Sequence, residues 1–209
     1  MLSPEKLLLS LLEQQEKTLV EFKAFSPLED SPPDAKDVVS KAAVALANTA
    51  MLQEKPSGYL VLGIDDDVKA VGIRISPRDE KEFREILKSR SDPPVIIHEI
   101  HKANTQGLSN CHQPESRKKK SDTVYILEVD AAQYAPIRYY PGGRKEEGHL
   151  GGIPIRDGPR IRETSVWELQ RLVLTGINRQ GKESGQSGRM TFDDERNLAR
   201  RMLKLIGDH

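Results

Sequence analysis

The segment GYLVLGI, residues 58–64, limits the fold of this chain more than any other. Its apolar residues follow one another between glycines, whereas a strand with one wet face alternates apolar and polar residues. The pattern predicts a strand buried on both faces, so other elements must cover the sheet on two sides. The aspartates that follow and the segment VKAVGI, residues 68–73, predict a turn and a returning strand, which together form a hairpin.

Helices and further strands surround this segment in a mixed order. Helical spacing with start signals predicts helices from Ser3-Pro4 to near Glu16, from Asp34 to near Asn48-Thr49, from Ser76-Pro77 to Pro93-Pro94, from Ser165 with Glu168 through WELQRLVL, and over about 192–206. Strand patterns cover 18–25, 95–100, 123–131 and a short hairpin over 151–163. We therefore predict an α+β fold, with a mixed, largely antiparallel β-sheet flanked by helices.

Composition excludes several classes of protein. A length of 209 residues suits one domain, and the 32 basic and 32 acidic side chains cancel, so no global positive field draws the surface to nucleic acid. The longest early apolar run, residues 7–12, is too short to span a bilayer, and no signal peptide is expected. Cys111 is the one cysteine and forms no intrachain disulfide. We expect a cytoplasmic protein.

Carboxylates are the best candidates for chemistry. Glu16 ends the first predicted helix, Glu21 and Lys23 share the polar face of the next strand, and three aspartates at 65–67 follow the buried strand. Carboxylates gathered from element ends are hard ligands for magnesium or manganese, and such an ion can activate water next to a scissile phosphate. An ordinary acidic turn explains the three aspartates equally well.

Basic residues form two groups. Arg156, Arg160 and Arg162 lie in the predicted hairpin over 151–163, where alternation places the last two on one face, and a run of four cations occupies residues 117–120. Each group could neutralise phosphates, and each is also compatible with an ordinary solvated surface.

Two other patterns are weaker. His98, His101, Cys111 and His112 are of the types that bind zinc, but their spacing is irregular, and two histidines three apart in a strand point to opposite faces. The segment GINRQGKE, residues 176–183, matches a phosphate-binding loop except that an acidic residue replaces the Ser or Thr and a helix precedes it. We interpret residues 176–189 as a flexible linker instead.

Four segments in order resemble the AlbA-like domain of Schlafen proteins and of many prokaryotic regulators. They are EKTLVEFK (16–23), ALANT (45–49), GYLVLGIDDD (58–67) followed by Gly72, and IPIRDGPRIRET (153–164) before WELQRL. The resemblance covers about residues 12–175. It implies the Schlafen AlbA-like fold, nucleic-acid binding and, as in some members, metal-dependent cleavage of tRNA or rRNA.

The resemblance also assigns site residues. The metal-binding and catalytic acids of the nuclease members correspond to Glu16, Glu21 and Asp66, with Asp65 as the alternative to the last. Animal Schlafens have in addition a zinc site of His and Cys after the third acid, which makes zinc at the histidine and cysteine cluster an open alternative. An insertion over 50–59 departs from the family pattern, and this chain has one lobe where the nucleases pair two. A homodimer could supply the second wall.

These observations lead to two functional hypotheses. The first is a magnesium- or manganese-dependent endoribonuclease for structured RNA such as tRNA, in which Lys23, Arg156, Arg160 and Arg162 position the phosphate chain. The second is a non-catalytic module that binds DNA or RNA. In either case residues 1–175 form the AlbA-like domain, and residues 176–209 form a flexible linker and a C-terminal helix.

Overall fold

The computed structural model of the chain describes residues 2–14, 18–25, 28, 33–65, 67–106, 121–143, 151–183 and 200. Helices within these residues are α1 (Pro4–Gln14), α2 (Ala35–Leu52), α3 (Pro77–Ser89) and α4 (Val166–Glu183). Strands are β1 (Val20–Lys23), β2 (Ser57–Leu62), β3 (Ser91–Asp92), β4 (Ile97–Asn104), β5 (Thr123–Asp130), β6 (Arg138–Tyr139), β7 (Pro154–Asp157) and β8 (Arg160–Glu163). The predicted α+β class is confirmed.

The apolar segment of the sequence forms β2, which lies inside a four-stranded sheet of order β1-β2-β5-β4. β1 is parallel to β2, and the other two pairings are antiparallel. Leu60 and Leu62 pack into the core with α2, whereas Val61 packs on the opposite face with the leucines of α1. The prediction of a strand buried on both faces is confirmed, because one helix covers each face of the sheet.

Helix α2 fills the connection between the parallel strands β1 and β2. Five of its alanines are fully buried, and their small side chains let the helix lie close to the sheet. The helix continues to Leu52, beyond the predicted end at Asn48-Thr49. These two polar residues do not end it because their side chains bond to backbone groups of distant segments and do not compete for the backbone of their own helix.

The hairpin after β2 is shorter than predicted. Ile64 and Ala70 form one isolated antiparallel bridge, and the long antiparallel partner of β2 is β5. The returning strand ends where Gly72, at a φ of +63°, turns the chain against the carbonyl of Ser121. A Cβ at Gly72 would collide with that carbonyl, so the close approach requires glycine.

The C-terminal part also departs from the prediction. Residues 176–183, interpreted as the start of a linker, are helical and belong to α4. The helix continues because Gly176 fits against the Tyr134 carbonyl and Ile177 packs on the core. The rest of the linker and the helix predicted over 192–206 lie outside the described residues, residue 200 excepted. No helix in the described ranges combines the length and the apolar character that crossing a bilayer requires.

Candidate functional site

The hairpin of β7 and β8 is anchored to α2 by two buried polar side chains. Asn48 donates through Nδ2 to the carbonyl oxygens of Ile137, at 2.9 Å, and Pro154, at 3.0 Å. Its Oδ1 accepts the Ile137 N–H at 2.8 Å, and Thr49 Oγ1 accepts the Arg156 N–H at 2.8 Å. Buried hydrogen bonds of this kind are costly to break, so they fix β7 on the helix.

This anchoring brings Arg156 of β7 against Glu21 of β1. The Arg156 guanidinium contacts Oε2 of Glu21, and the Lys23 ammonium contacts Oε1. Glu21 is 3% exposed and Arg156 is 2% exposed. An isolated charge is unstable away from water. The carboxylate and the guanidinium can both be buried because each compensates the charge of the other. We call Glu21, Lys23 and Arg156 the buried charge cluster.

The acidic turn after β2 is closed by its own first residue. Asp65 Oδ1 accepts the N–H groups of Asp67, at 3.1 Å, and Lys69, at 2.8 Å. This side-chain-to-backbone bonding is the usual role of aspartate in a tight turn. Asp67 is exposed and pairs with Lys69 at 3.2 Å. The turn therefore accounts for Asp65 without a ligand, whereas Asp66 lies outside the described residues.

Strand β8 and the start of α4 are joined by a charged clamp. Arg162 donates two hydrogen bonds to the Glu168 carboxylate, at 2.7 and 2.8 Å, and one to Asp157 at 3.0 Å. The Arg162 guanidinium, helped by the Ser165 N–H, lowers the pKa of Glu168 to about 2. Ser165 and Glu168 also form the capping box that the sequence predicts. The clamp joins the start of α4 to the hairpin.

Two side chains next to the clamp face solvent. Trp167 is 75% exposed, which is the largest value among the exposed large hydrophobic residues in the described ranges. Arg160 is also exposed and forms no ion pair with any described residue. An aromatic ring and an uncompensated guanidinium are the two kinds of group that bind a base and a phosphate, respectively.

A second polar cluster lies between β4 and β5. One ligand atom from each of Glu99, His101 and Glu128 lies within 4.8 Å of the other two. Sequence alternation predicted that His98 and His101 point to opposite faces. However, a β-bulge between Ile97 and Glu99 shifts the register. His98 consequently approaches Asp130 at 3.7 Å and His101 approaches Glu128 at 3.9 Å, on one face of β5.

Comparison with models of known families identifies the family of this chain. The sequence model of the family described as "Schlafen, AlbA_2" matches residues 16–165, which is more than half of the chain. The chain belongs to the Schlafen AlbA_2 family. The resemblance drawn from the four motifs is thereby confirmed, and this Schlafen AlbA_2 domain is a nucleic-acid-binding domain by family.

Several solved structures are also similar to this chain. The crystal structure of the DIP2311 protein from Corynebacterium diphtheriae is similar, with a TM-score of 0.48 and 18% sequence identity. The similarity covers 90% of this chain and 34% of that one, so the Schlafen AlbA_2 domain spans about a third of that chain. A search of curated proteins gave no match.

The predicted metal-binding acids can now be placed. Glu16 and Asp66 lie outside the described residues. Both carboxylate oxygens of Glu21 are in contact with cations of the fold. Glu21 in this arrangement does not fit a magnesium or manganese ligand, because a metal ion would have to displace Arg156 or Lys23 from a site closed to water. We derive no reaction step through such an ion.

The predicted nucleic-acid-binding residues divide into three groups. Arg156 is buried against Glu21, so its side chain offers no exposed surface to a phosphate in this arrangement, and its role in binding stays a prediction. Lys23 and Arg162 are engaged by carboxylates, namely Glu21 for the lysine and Glu168 for the arginine. Arg160 is exposed. The basic run at residues 117–120, and Cys111 and His112, lie outside the described residues.

Sequence reasoning did not foresee that three of the family motifs meet at one place. The segments EFK, ANT and IPIRDG contribute Glu21 and Lys23, Asn48 and Thr49, and Arg156 to a single buried assembly. One signal was present in the sequence, since Arg156 follows the apolar run IPI and an arginine in such a run needs a buried partner. Trp167, Glu99 and Glu128 were likewise not singled out.

Proposed function

We propose that this Schlafen AlbA_2 domain binds nucleic acid at the outer side of the β7–β8 hairpin and the start of α4, and that it does not cleave the nucleic acid. The observation that carries the proposal is the exposure of both Trp167 and Arg160 on two elements that the Arg162–Glu168 clamp joins. A surface whose elements are already joined loses less entropy when a ligand binds. Family membership supports nucleic acid as that ligand.

The buried charge cluster explains why a binding role is favoured over hydrolysis. Glu21, the one predicted catalytic acid in the described residues, holds the hairpin in place through Arg156. Its charge is therefore used to position the binding surface. A side chain with both oxygens bound to cations is a poor ligand for a third.

The binding proposal is tested with a fluorescently labelled single-stranded oligonucleotide at several salt concentrations. Removal of one phosphate-contacting cation should reduce the slope of log K against log [salt] by about 0.7. Arg160→Gln should show that reduction and weaker binding. Arg78→Gln, which removes an exposed arginine on α3, serves as the matched control and should leave both quantities unchanged. Equal effects of the two variants would contradict a site at the hairpin.

Trp167 provides a second, independent readout because it is the one tryptophan of the chain. A base stacked on the indole should quench its fluorescence in step with binding, and Trp167→Ala should weaken binding roughly 5- to 150-fold, which corresponds to about 1–3 kcal/mol per stacked base. Trp167→Phe should retain most of the affinity. Binding with unchanged fluorescence and a neutral Trp167→Ala variant would place the nucleic acid elsewhere on the domain.

The second candidate function is a magnesium- or manganese-dependent endoribonuclease for structured RNA such as tRNA. Two observations favour it. The sequence keeps Glu16 and Glu21 at the spacing that the resemblance gives for the nuclease members and retains a third acid at Asp66. The acidic turn also starts beside β1, where the Gly63 N–H donates to the Lys23 carbonyl at 2.7 Å. Zinc at the cysteine and histidine cluster is a further cofactor that the resemblance suggests.

The nuclease candidate is tested by incubating the chain with tRNA and manganese. Loss of cleavage in both Glu16→Gln and Asp66→Asn, with cleavage intact in Asp67→Asn, would establish it. These variants avoid Glu21, whose replacement would disturb the hairpin whether or not it is catalytic. Absence of cleavage in the native chain, alongside salt-dependent binding, would establish the non-catalytic module. The homodimer and the cytoplasmic location stay predictions.

A further inference from the structure

We infer that the outer edge of β4 pairs with the same edge of a second copy of this chain, so that two four-stranded sheets join into one. β4 is eight residues long and lies at the end of the sheet order β1-β2-β5-β4. An edge strand presents unpaired backbone N–H and C=O groups, which another strand can satisfy. The inference does not rest on nucleic-acid binding, and its tests are made without nucleic acid.

The hydrogen bonds at the end of β4 show which backbone groups point outward. The Thr105 N–H donates to the carbonyl immediately before β5, at 2.8 Å. Because the backbone groups of successive residues in a strand point to alternate sides, those of Asn104, Lys102 and Ile100 point away from β5. The Asn104 N–H agrees with this direction, since it donates to the Glu5 carboxylate of α1 at 3.4 Å.

Side chains cover the outward groups at both ends of this edge but not in the middle. The Ile97 carbonyl accepts a hydrogen bond from Arg84 at 2.6 Å, and the Asn104 N–H is taken by α1. Among the described residues, none bonds to the outward N–H and C=O groups of Ile100 and Lys102. The open part of the edge therefore lies between Ile97 and Asn104 and fits one short strand.

Lys102 does not guard this edge, although a lysine on an edge strand commonly prevents pairing. Its ammonium lies 2.7 Å from the Glu80 carboxylate of α3 and 5.6 Å from the centroid of the Tyr125 ring on β5. The side chain thus leans over its own sheet, and its charge is compensated. A β-bulge, another common protection, is confined to the end between Ile97 and Glu99.

A second copy matches the open part of the edge because the outward groups are arranged symmetrically about His101. In an antiparallel pair related by a two-fold axis, Ile100 of each copy would lie opposite Lys102 of the other, and the two pairs would share four backbone hydrogen bonds. The two His101 residues would then face each other as a non-hydrogen-bonded pair. This register does not use the backbone groups that Glu5 and Arg84 cover.

Two exposed apolar side chains lie at opposite ends of the same edge. Ile96, immediately before β4, is 47% exposed, and Leu2, three residues before the Glu5 that contacts Asn104, is 62% exposed. Antiparallel pairing brings the first end of one strand to the last end of the other. Ile96 of each copy would therefore approach Leu2 of the other. The pairing would cover two of the four exposed large hydrophobic side chains in the described ranges.

The first test is the molecular mass of the full chain in solution, measured by sedimentation equilibrium over a range of concentrations. We expect an equilibrium between monomer and dimer. Lys102→Pro removes an outward N–H, and with it two of the four bonds, but no bond to β5, so it should weaken the dimer roughly 30-fold. Circular dichroism checks that this variant folds. A native chain that stays monomeric would overturn the inference, as would a Lys102→Pro dimer of native strength.

Ile96→Lys keeps the test valid if Lys102→Pro does not fold, because it changes an exposed side chain and leaves the backbone intact. It should weaken the dimer roughly fivefold or more through the loss of apolar contact. Val166→Lys is the matched control, since it makes the same kind of change at an exposed residue of α4 and should leave the dimer unchanged. Equal effects of the two variants would contradict pairing at this edge.

A disulfide tests the register in a Cys111→Ser background. In the proposed pair the two Cα atoms of residue 101 lie about 4.5 Å apart, within the range that a disulfide bridges. His101→Cys should therefore give a covalent dimer under mild oxidation. Lys102→Cys is the matched control, because the two Cα atoms of residue 102 would lie about 8 Å apart, beyond that range. Cross-linking by both variants, or by neither, would overturn the pairing.

Discussion

At the scale of the residue, the interaction between Glu21 and Arg156 decides how the domain is assembled. Removal of one member of a buried ion pair leaves an uncompensated charge, which is more destabilising than the loss of the pair as a whole. Glu21 has a second cation in Lys23, which is partly exposed, whereas Arg156 has a fully buried side chain. Loss of the arginine therefore leaves Glu21 beside the cation of Lys23, whereas loss of the glutamate takes the carboxylate away from a buried Arg156, which also donates to the Gly158 carbonyl at 3.1 Å.

This asymmetry predicts the outcome of replacing each residue. Glu21→Leu should lower the free energy of unfolding by about 3–5 kcal/mol, because it leaves the Arg156 charge buried. The double variant Glu21→Leu with Arg156→Met should recover more than half of that loss. Urea denaturation measures both, and the exposed Arg160→Met should stay within about 0.5 kcal/mol of the native chain. If the effects of Glu21→Leu and Arg156→Met, each measured alone, added up to the effect of the double variant, the pairing would be contradicted.

At the scale of the element, Asn48 attaches the β7–β8 hairpin to α2. Its side chain satisfies three buried backbone groups, two carbonyls and one N–H, that belong to segments far away in sequence. Asn48→Ala should lower the free energy of unfolding by about 3 kcal/mol or more, since each orphaned buried group costs about 1–3 kcal/mol. Amide exchange in β7 should accelerate more than in β5. Equal acceleration of both strands would indicate general destabilisation rather than a detached hairpin.

The clamp between β8 and α4 predicts a dependence on pH. The pKa of Glu168 is lowered from 4.5 to about 2 by Arg162, so the carboxylate binds protons more weakly in the folded state. Its contribution to stability is complete above about pH 5 and is lost as the pH falls towards 2. Thermal unfolding of Glu168→Gln should therefore show a shallower loss of Tm over that interval than the native chain. Parallel pH profiles would show that the clamp does not persist in solution.

At the scale of the whole molecule, α4 extends the domain beyond the predicted boundary at residue 175. Ile177 packs on the core, and Arg179 donates to the Ala132 carbonyl at 2.9 Å. A chain that ends after residue 175 should therefore be less stable than one that ends after residue 183, by about 2 kcal/mol for one partly buried isoleucine and one hydrogen bond. Comparison of the two truncated chains by urea denaturation measures the difference. Equal free energies of unfolding for the two truncated chains would support a domain boundary at residue 175.

Much of this architecture could be predicted because local signals and packing agree. The capping boxes at Ser76 and Ser165 marked true helix starts, and the unbroken apolar segment marked the interior strand. The extent of the hairpin after β2 could not be predicted, because it depends on where Ser121, nearly fifty residues later, approaches Gly72. The approach of Glu99 and Glu128 to His101 could not be predicted for a similar reason, since it depends on the register in which β4 pairs with β5.

The sequence by itself determined the class of fold, the interior strand and the family, because apolar periodicity, capping residues and ordered motifs are properties of neighbouring residues. The tertiary structure alone decided the roles of the charged residues. Glu21 could bind a metal ion or an arginine, and Arg156 could reach a phosphate or a buried carboxylate. Which of these occurs depends on the elements that pack against α2. The role of a charged side chain depends on the group that it contacts. For Glu21 and Arg156 that group lies more than one hundred residues away along the chain.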